Sequence, residues 1–152
     1  MEGKITDILS KLEKLMEGGN YLAEFGVEIF DNCETIDKFQ DKIEERHNSN
    51  SFKKFTPTLI DTYTFWKKID GALVYRGDES AGLSLNETEE KELLLEQSAL
   101  KDSIKEYLFD STKIYEYPEE VGVTGYIVYW AFIFLLLNTD KQSVLIYGSA
   151  SD

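Results

Sequence analysis

Few side chains in this sequence could carry out nucleophilic or metal chemistry. Cys33 is the only cysteine and His47 the only histidine. Zinc sites and facial triads draw on several Cys and His ligands, so one residue of each type leaves little material for them. Cys33 and His47 could form a nucleophile–base pair, but no feature of the sequence marks the thiol as activated. We interpret them as a small helix-start cysteine and a solvated loop histidine, and we predict no metal, no cofactor and no catalytic residue.

The sequence also lacks a phosphate-binding loop. Gly122-Val-Thr-Gly125 has neither the lysine of a Walker loop nor the third glycine of a dinucleotide fingerprint. We interpret it as a turn that leads into a buried strand. The chain is therefore expected not to be an enzyme.

Acidic residues are abundant and unevenly distributed. The chain has 29 acidic and 16 basic residues and a net charge of −13, and the segment from Gly77 to Glu120 contains 13 of the acids and four of the bases. Negative charge repels nucleic-acid phosphates and anionic membranes, so we expect neither as a partner. A basic protein surface is the natural complement. The predicted partner-binding residues are Asp78, Glu79, Glu87, Glu90, Tyr115, Glu116, Tyr117, Glu119 and Glu120.

Two alternative roles for this acidic segment stay open. The carboxylates could form an ordinary solvated surface that keeps the protein soluble. Alternatively, Asp78-Glu79 and Glu119-Glu120 could border a small-molecule pocket with Tyr115, Tyr117 and Tyr126, because tyrosine-lined carboxylate pockets bind sugars and cations.

One apolar run is long enough to require a membrane test. Residues 121–139 carry no charge, and a transmembrane helix needs about 20 mostly apolar residues. Gly122 and Gly125 interrupt the start, acidic residues flank both ends, and the run is rich in aromatic and β-branched residues. It is predicted to form one or two buried strands. The N-terminus shows no secretory signal pattern and the single cysteine fits a reducing compartment, so we expect a cytoplasmic protein.

Hydrophobic periodicity predicts the elements that must position these residues. Thr56-Pro57 resembles an N-cap followed by a first-turn proline, Asp70-Gly71 a helix end, and Asn86 to Glu89 a capping box. The segment 21–30 fits a helix or a strand equally well. Helices are predicted over about 5–17, 35–46 and 57–69, and one long helix or a broken pair over about 87–109. Strands are predicted over about 72–75, 81–85, 114–117, 126–137 and 143–147, with a turn at 76–79 between the first two. Because no linker or repeat interrupts this order, we predict one α+β domain over residues 1–152, with helices packed on an antiparallel β-sheet.

Several of these segments together resemble the SUKH superfamily, which includes bacterial toxin-immunity proteins and a fungal cell-wall-synthesis regulator. The similar segments are Ile36-Asp-Lys-Phe39, Thr56-Pro57, Tyr63-Thr-Phe-Trp66, Asp70-Gly71, Trp130-Ala-Phe-Ile-Phe134 and Val144-Leu-Ile-Tyr147. The resemblance implies helices on an antiparallel sheet, no catalytic residues, and neutralisation of a toxin by direct binding. The leading hypothesis is an immunity protein for a basic toxin domain. A regulatory adaptor for cell-wall or signalling proteins and a small-molecule-binding protein are the alternatives.

Overall fold

The computed structural model describes residues 2–77 and 81–152. Five antiparallel strands form one sheet in the order β1-β5-β4-β3-β2. The strands are β1 (Leu22–Phe30), β2 (Thr58–Ile60), β3 (Lys113–Glu116), β4 (Trp130–Leu137) and β5 (Ser143–Ser151). The helices are α1 (Glu2–Leu15), α2 (Ile36–His47), α3 (Thr62–Val74) and α4 (Glu87–Lys105), and short 3-10 turns lie at Ser51–Lys54 and Glu119–Val121.

The central strand β4 shows how both faces of the sheet are buried. Alternate side chains of a strand point to opposite faces. Phe132, Phe134 and Leu136 pack into a cluster with α1, α3 and α4, and this side is called the three-helix face. Ile133, Leu135 and Leu137 pack with α2 and the two 3-10 turns, and this side is called the α2 face. Helices packed on an antiparallel sheet confirm the predicted α+β class.

Several local predictions agree with the structure. The uncharged run yields the buried strand β4, and within the described ranges no helix is long and apolar enough to cross a membrane. Segment 21–30 is a strand because all nine residues of β1 pair with β5. The capping box is present: Asn86 Oδ1 accepts from the Glu89 amide at 2.8 Å, and Glu89 Oε1 accepts from the Asn86 amide at 3.2 Å.

The predicted start of the third helix is wrong. Thr56-Pro57 leads into β2, whose three residues pair with β3, because Ile60 can then join the core on the three-helix face. The helix α3 begins at Thr62 instead. Asp61 is its N-cap, and Asp61 Oδ1 accepts a hydrogen bond from the Thr64 amide at 2.7 Å. A side-chain cap five residues further on therefore replaced the predicted one.

The predicted strands at 72–75 and 81–85 are also wrong. The helix α3 continues through Asp70-Gly71 to Val74, because burial of Ala72 and Leu73 outweighs the modest helix cost of one glycine. Residues 81–85 lie against the turn that follows α1 and do not form a strand: the Asn20 amide donates to the Ala81 carbonyl at 2.8 Å. The turn predicted at 76–79 lies partly outside the described residues.

Candidate protein-binding surface

Glu87 and Glu90 lie in the first turn of α4, where carboxylates favour the helix dipole. Both are already paired within the protein. Glu90 receives two hydrogen bonds from the Arg76 guanidinium, at 2.9 and 3.1 Å, and these lower the pKa of its carboxyl group. Glu87 lies 3.4 Å from Lys91 Nζ, one turn along the helix. Much of the charge at this end of α4 is therefore neutralised locally.

The strand β3 and the residue after it place Tyr115, Glu116 and Tyr117 in three different environments. The Glu116 carboxylate accepts from Lys68 Nζ of α3 at 2.7 Å. Tyr115 is half-buried on the α2 face. Tyr117 is buried between the rings of Phe39 and Phe52, and burial raises the pKa of its phenol to about 12. The ring of Tyr117 belongs to the core, so a binding partner could not contact it directly.

Among the predicted residues that the structure describes, Glu119 and Glu120 are the two that are both exposed and unpaired. They occupy the 3-10 turn Glu119–Val121, which the buried side chain of Val121 anchors to the α2-face cluster. Across residues 2–77 and 81–152, no basic nitrogen lies within 4.0 Å of either carboxylate. Their negative charge is therefore fully presented to solvent.

The predicted set does not form one continuous surface. The helix α4, with Glu87 and Glu90, packs on the three-helix face, whereas Tyr115 and Tyr117 belong to the α2 face, so the sheet separates them. Asp78 and Glu79 lie outside the described residues. Tyr126 is 79 % exposed, while Tyr117 is in the core. The two tyrosines therefore cannot wall the same enclosed small-molecule pocket.

The single cysteine and the single histidine do not face each other. Cys33 is buried, and burial raises the pKa of its thiol to about 11. His47 is the last residue of α2 and not a loop residue as predicted; its Nε2 lies 2.8 Å from Glu28 Oε1 on β1. In the part of the chain that the structure describes, no group of three or more His, Cys, Asp or Glu residues could hold a metal ion.

Sequence reasoning missed a polar cluster around β1. The carboxylate of Glu28, only 9 % exposed, lies between His47 and the Arg46 guanidinium, with Nη1 at 3.4 Å. The Tyr147 hydroxyl also lies beside Glu28. The Tyr147 ring covers Gly26 so closely that a Cβ atom at position 26 would lie 2.3 Å from Tyr147 Cζ. Burial and this carboxylate raise the pKa of Tyr147 to about 12. The alternation of Phe25, Val27 and Ile29 indicated a strand here, but only strand pairing reveals its neighbours.

No protein-family model matches the chain, and no curated protein matches it. Two solved structures of similar fold are crystal forms of citrus MAF1. One is 16% identical with a TM-score of 0.56, covering 95% of this chain and 97% of that chain. The other is 14% identical with a TM-score of 0.58, covering 95% of this chain and 98% of that chain. At such low identity the likeness shows a shared fold alone, and the SUKH resemblance stays a prediction.

Proposed function

We propose that this protein is a non-catalytic binding domain of the immunity type, which neutralises a basic toxin domain by direct contact through its acidic surface. The observation that carries the proposal is the exposed, unpaired carboxylate pair Glu119-Glu120. A protein partner that supplies Lys or Arg side chains would neutralise this charge and gain association rate from electrostatic steering.

The distribution of ion pairs supports this choice of surface within the acidic segment. Glu87, Glu90 and Glu116 have basic partners within the protein, so a Lys or Arg of a binding partner would compete with them. Glu119 and Glu120 have no such competitor among the described residues, and half-buried Tyr115 precedes them on the same side of the sheet. An aromatic side chain on the same side of the sheet adds contact area at little entropic cost.

The test is co-expression with a toxin encoded beside this gene, followed by binding kinetics of the purified pair. We expect the protein to restore growth and to bind more slowly as salt rises, because screening shortens the range of charge steering. The double variant Glu119→Lys/Glu120→Lys should lower the association rate by about tenfold at low salt, with an unchanged unfolding midpoint.

The matched control is Asp7→Lys/Glu45→Lys, which changes the net charge equally at two helix positions outside the acidic segment. Equal slowing by both double variants would show that net charge acts and the Glu119-Glu120 pair does not. Failure to restore growth would reject toxin immunity. Recovery of a cell-wall or signalling protein as a direct, salt-sensitive partner would favour the regulatory adaptor instead.

A further inference from the structure

The two edge strands of the sheet differ in how well they are protected against pairing with a further strand. At one edge, β2 has only three residues and directly follows Pro57, and short, proline-flanked edges resist further strand pairing. At the other edge, β1 has nine residues, Leu22–Phe30, with no proline and no lysine. Among the described strands only β5 pairs with β1, so its outer edge has no strand neighbour.

Hydrogen bonds identify which backbone groups of β1 point outward. The Phe25 amide donates to Glu13 Oε1 of α1 at 3.2 Å, and the Ile29 carbonyl accepts from Arg46 Nη2 at 3.1 Å. In an antiparallel pair, alternate residues direct both their N–H and C=O groups away from the partner strand. Phe25, Val27 and Ile29 therefore face the outer edge. The amide and carbonyl of Val27 lie between the two side-chain caps and have no protein partner in the described part of the chain.

The charge beside this edge is negative at one end. Glu13 and Glu24 border a cleft of about 290 Å³ together with Phe25, Gly125 and Tyr147. No basic nitrogen lies within 4.0 Å of either carboxylate in the described ranges. Burial and the neighbouring charge of Glu24 raise the pKa of Glu13, while the hydrogen bond from Phe25 opposes that shift. A cation placed between them would relieve this repulsion.

We propose that the outer edge of β1 binds an extended, basic peptide segment of a partner protein as an additional strand. The segment would bond to the outward groups of Val27 and place a Lys or Arg side chain between Glu13 and Glu24. A second copy of this chain is disfavoured as the occupant, because each copy carries a charge of −13 and would bring its own carboxylates to the edge. The proposal concerns a surface other than Glu119-Glu120 and stands independently of toxin binding.

The test uses an end-blocked peptide of alternating Lys and Val as the probe, with the isotope-labelled full chain observed by NMR. We expect binding to shift the amide signals of β1 and to slow hydrogen exchange at Val27. A Lys-Pro peptide has the same charge but cannot form a strand, and a Glu-Val peptide has the opposite charge. Both control peptides should leave Val27 exchange unchanged.

Variants separate backbone pairing from charge. Val27→Pro removes the outward amide without removing a hydrogen bond to β5, and proline is tolerated at sheet edges, so the variant should fold. Its affinity for the Lys-Val peptide should fall about tenfold, because one backbone hydrogen bond to the peptide is lost. The matched variant Val27→Thr keeps the amide and should bind normally. Glu13→Gln/Glu24→Gln should weaken binding and reduce its salt dependence.

Three outcomes would overturn the proposal. Equal binding of the Lys-Val and Lys-Pro peptides would mean that charge alone attracts the probe. If the hydrogen-exchange rate of the Val27 amide is unchanged at saturating Lys-Val peptide, the peptide binds elsewhere. This measurement uses the unsubstituted chain, so it does not depend on the folding of Val27→Pro. Protection of the Val27 amide that rises with protein concentration in the absence of peptide would assign the edge to a second copy of the chain.

Discussion

Replacement of Asn138 should destabilise the fold strongly, because its side chain joins three segments at the end of the β4–β5 hairpin. Asn138 is 2 % exposed, and its Nδ2 donates to the Tyr107 carbonyl at 2.9 Å and to the Gln142 carbonyl at 2.8 Å. Its Oδ1 accepts from the Thr112 hydroxyl. These bonds hold the loop that leads from α4 into β3 against the β4–β5 turn.

The expected loss follows from the partners that Asn138→Ala leaves behind. The bond to the Tyr107 carbonyl is buried, and losing a hydrogen bond at a buried group costs about 1–3 kcal/mol. The Thr112 hydroxyl also lies 3.4 Å from this carbonyl and keeps it partly satisfied, which favours the lower half of that range. The bond to Gln142 is only partly buried, so its loss costs about 1 kcal/mol. The free energy of unfolding should therefore fall by about 2–3 kcal/mol. Asn138→Asp should be at least as harmful at neutral pH, because a carboxylate would face two carbonyl oxygens with no proton to donate.

Urea unfolding followed by circular dichroism would measure these losses, with Thr139→Ala as the control. Thr139 is an exposed neighbour in the same turn, and its replacement should change the free energy of unfolding by less than about 0.5 kcal/mol. The Asn138→Asp variant should recover part of its stability under mildly acidic conditions, because a protonated carboxyl group can donate again. A loss below about 1 kcal/mol for Asn138→Ala, or equal stability of the Asp variant and the wild type, would refute this hydrogen-bond account.

Three further changes test other parts of the structure. Burial raises the pKa of Cys33 from 9.0 to about 11, so its thiol should react slowly with Ellman's reagent at pH 8 until the chain is unfolded. The neutral thiol favours the folded state, and this contribution should be lost as pH rises above 9, where the thiol of the unfolded chain ionises. Asp61→Ala should lower the thermal midpoint, whereas Thr56→Ala should not. Because hydrogen bonds from Thr64 lower the pKa of Asp61 from its ordinary value of 3.8, the stability that Asp61 contributes should be lost as pH falls from that value through the lowered pKa. Gly26→Ala should lower the free energy of unfolding in urea by about 1–3 kcal/mol, because the added methyl group clashes with the Tyr147 ring. The same substitution should cost less in a Tyr147→Ala background, and additive losses for the two changes would contradict that contact.

Local signals in the sequence were reliable where one short-range interaction decides the structure. The capping box at Asn86 and Glu89 needs only residues three positions apart, and α4 begins there as predicted. The apolar run that yields β4 was identified as buried strand from its aromatic and β-branched composition. The prediction at Thr56-Pro57 failed because pairing of β2 with β3 extends this segment, so the helix begins instead at the Asp61 cap, which was not predicted from the sequence.

The sequence revealed the negative charge of the candidate surface, but not which of its carboxylates lack a basic partner within the protein. It placed Glu90, Glu116 and Glu119 in one acidic segment without distinguishing them. Arg76, in the loop after α3, and Lys68, on α3, neutralise the first two across separations of 14 and 48 residues, and no sequence spacing encodes such pairs. The distinction of Glu119 is therefore a property of the folded chain.

The sequence by itself determined the α+β class, the excess of acidic residues, and the scarcity of residues for metal or nucleophilic chemistry, because composition and short-range periodicity carry that information. Tertiary structure alone decided that β1 lies at an open edge, that Tyr117 is buried, and that His47 faces Glu28 instead of Cys33. The physical reason is that strand order and long-range ion pairs depend on which distant segments meet when apolar surface is buried. The two proposed binding surfaces both rest on those long-range contacts.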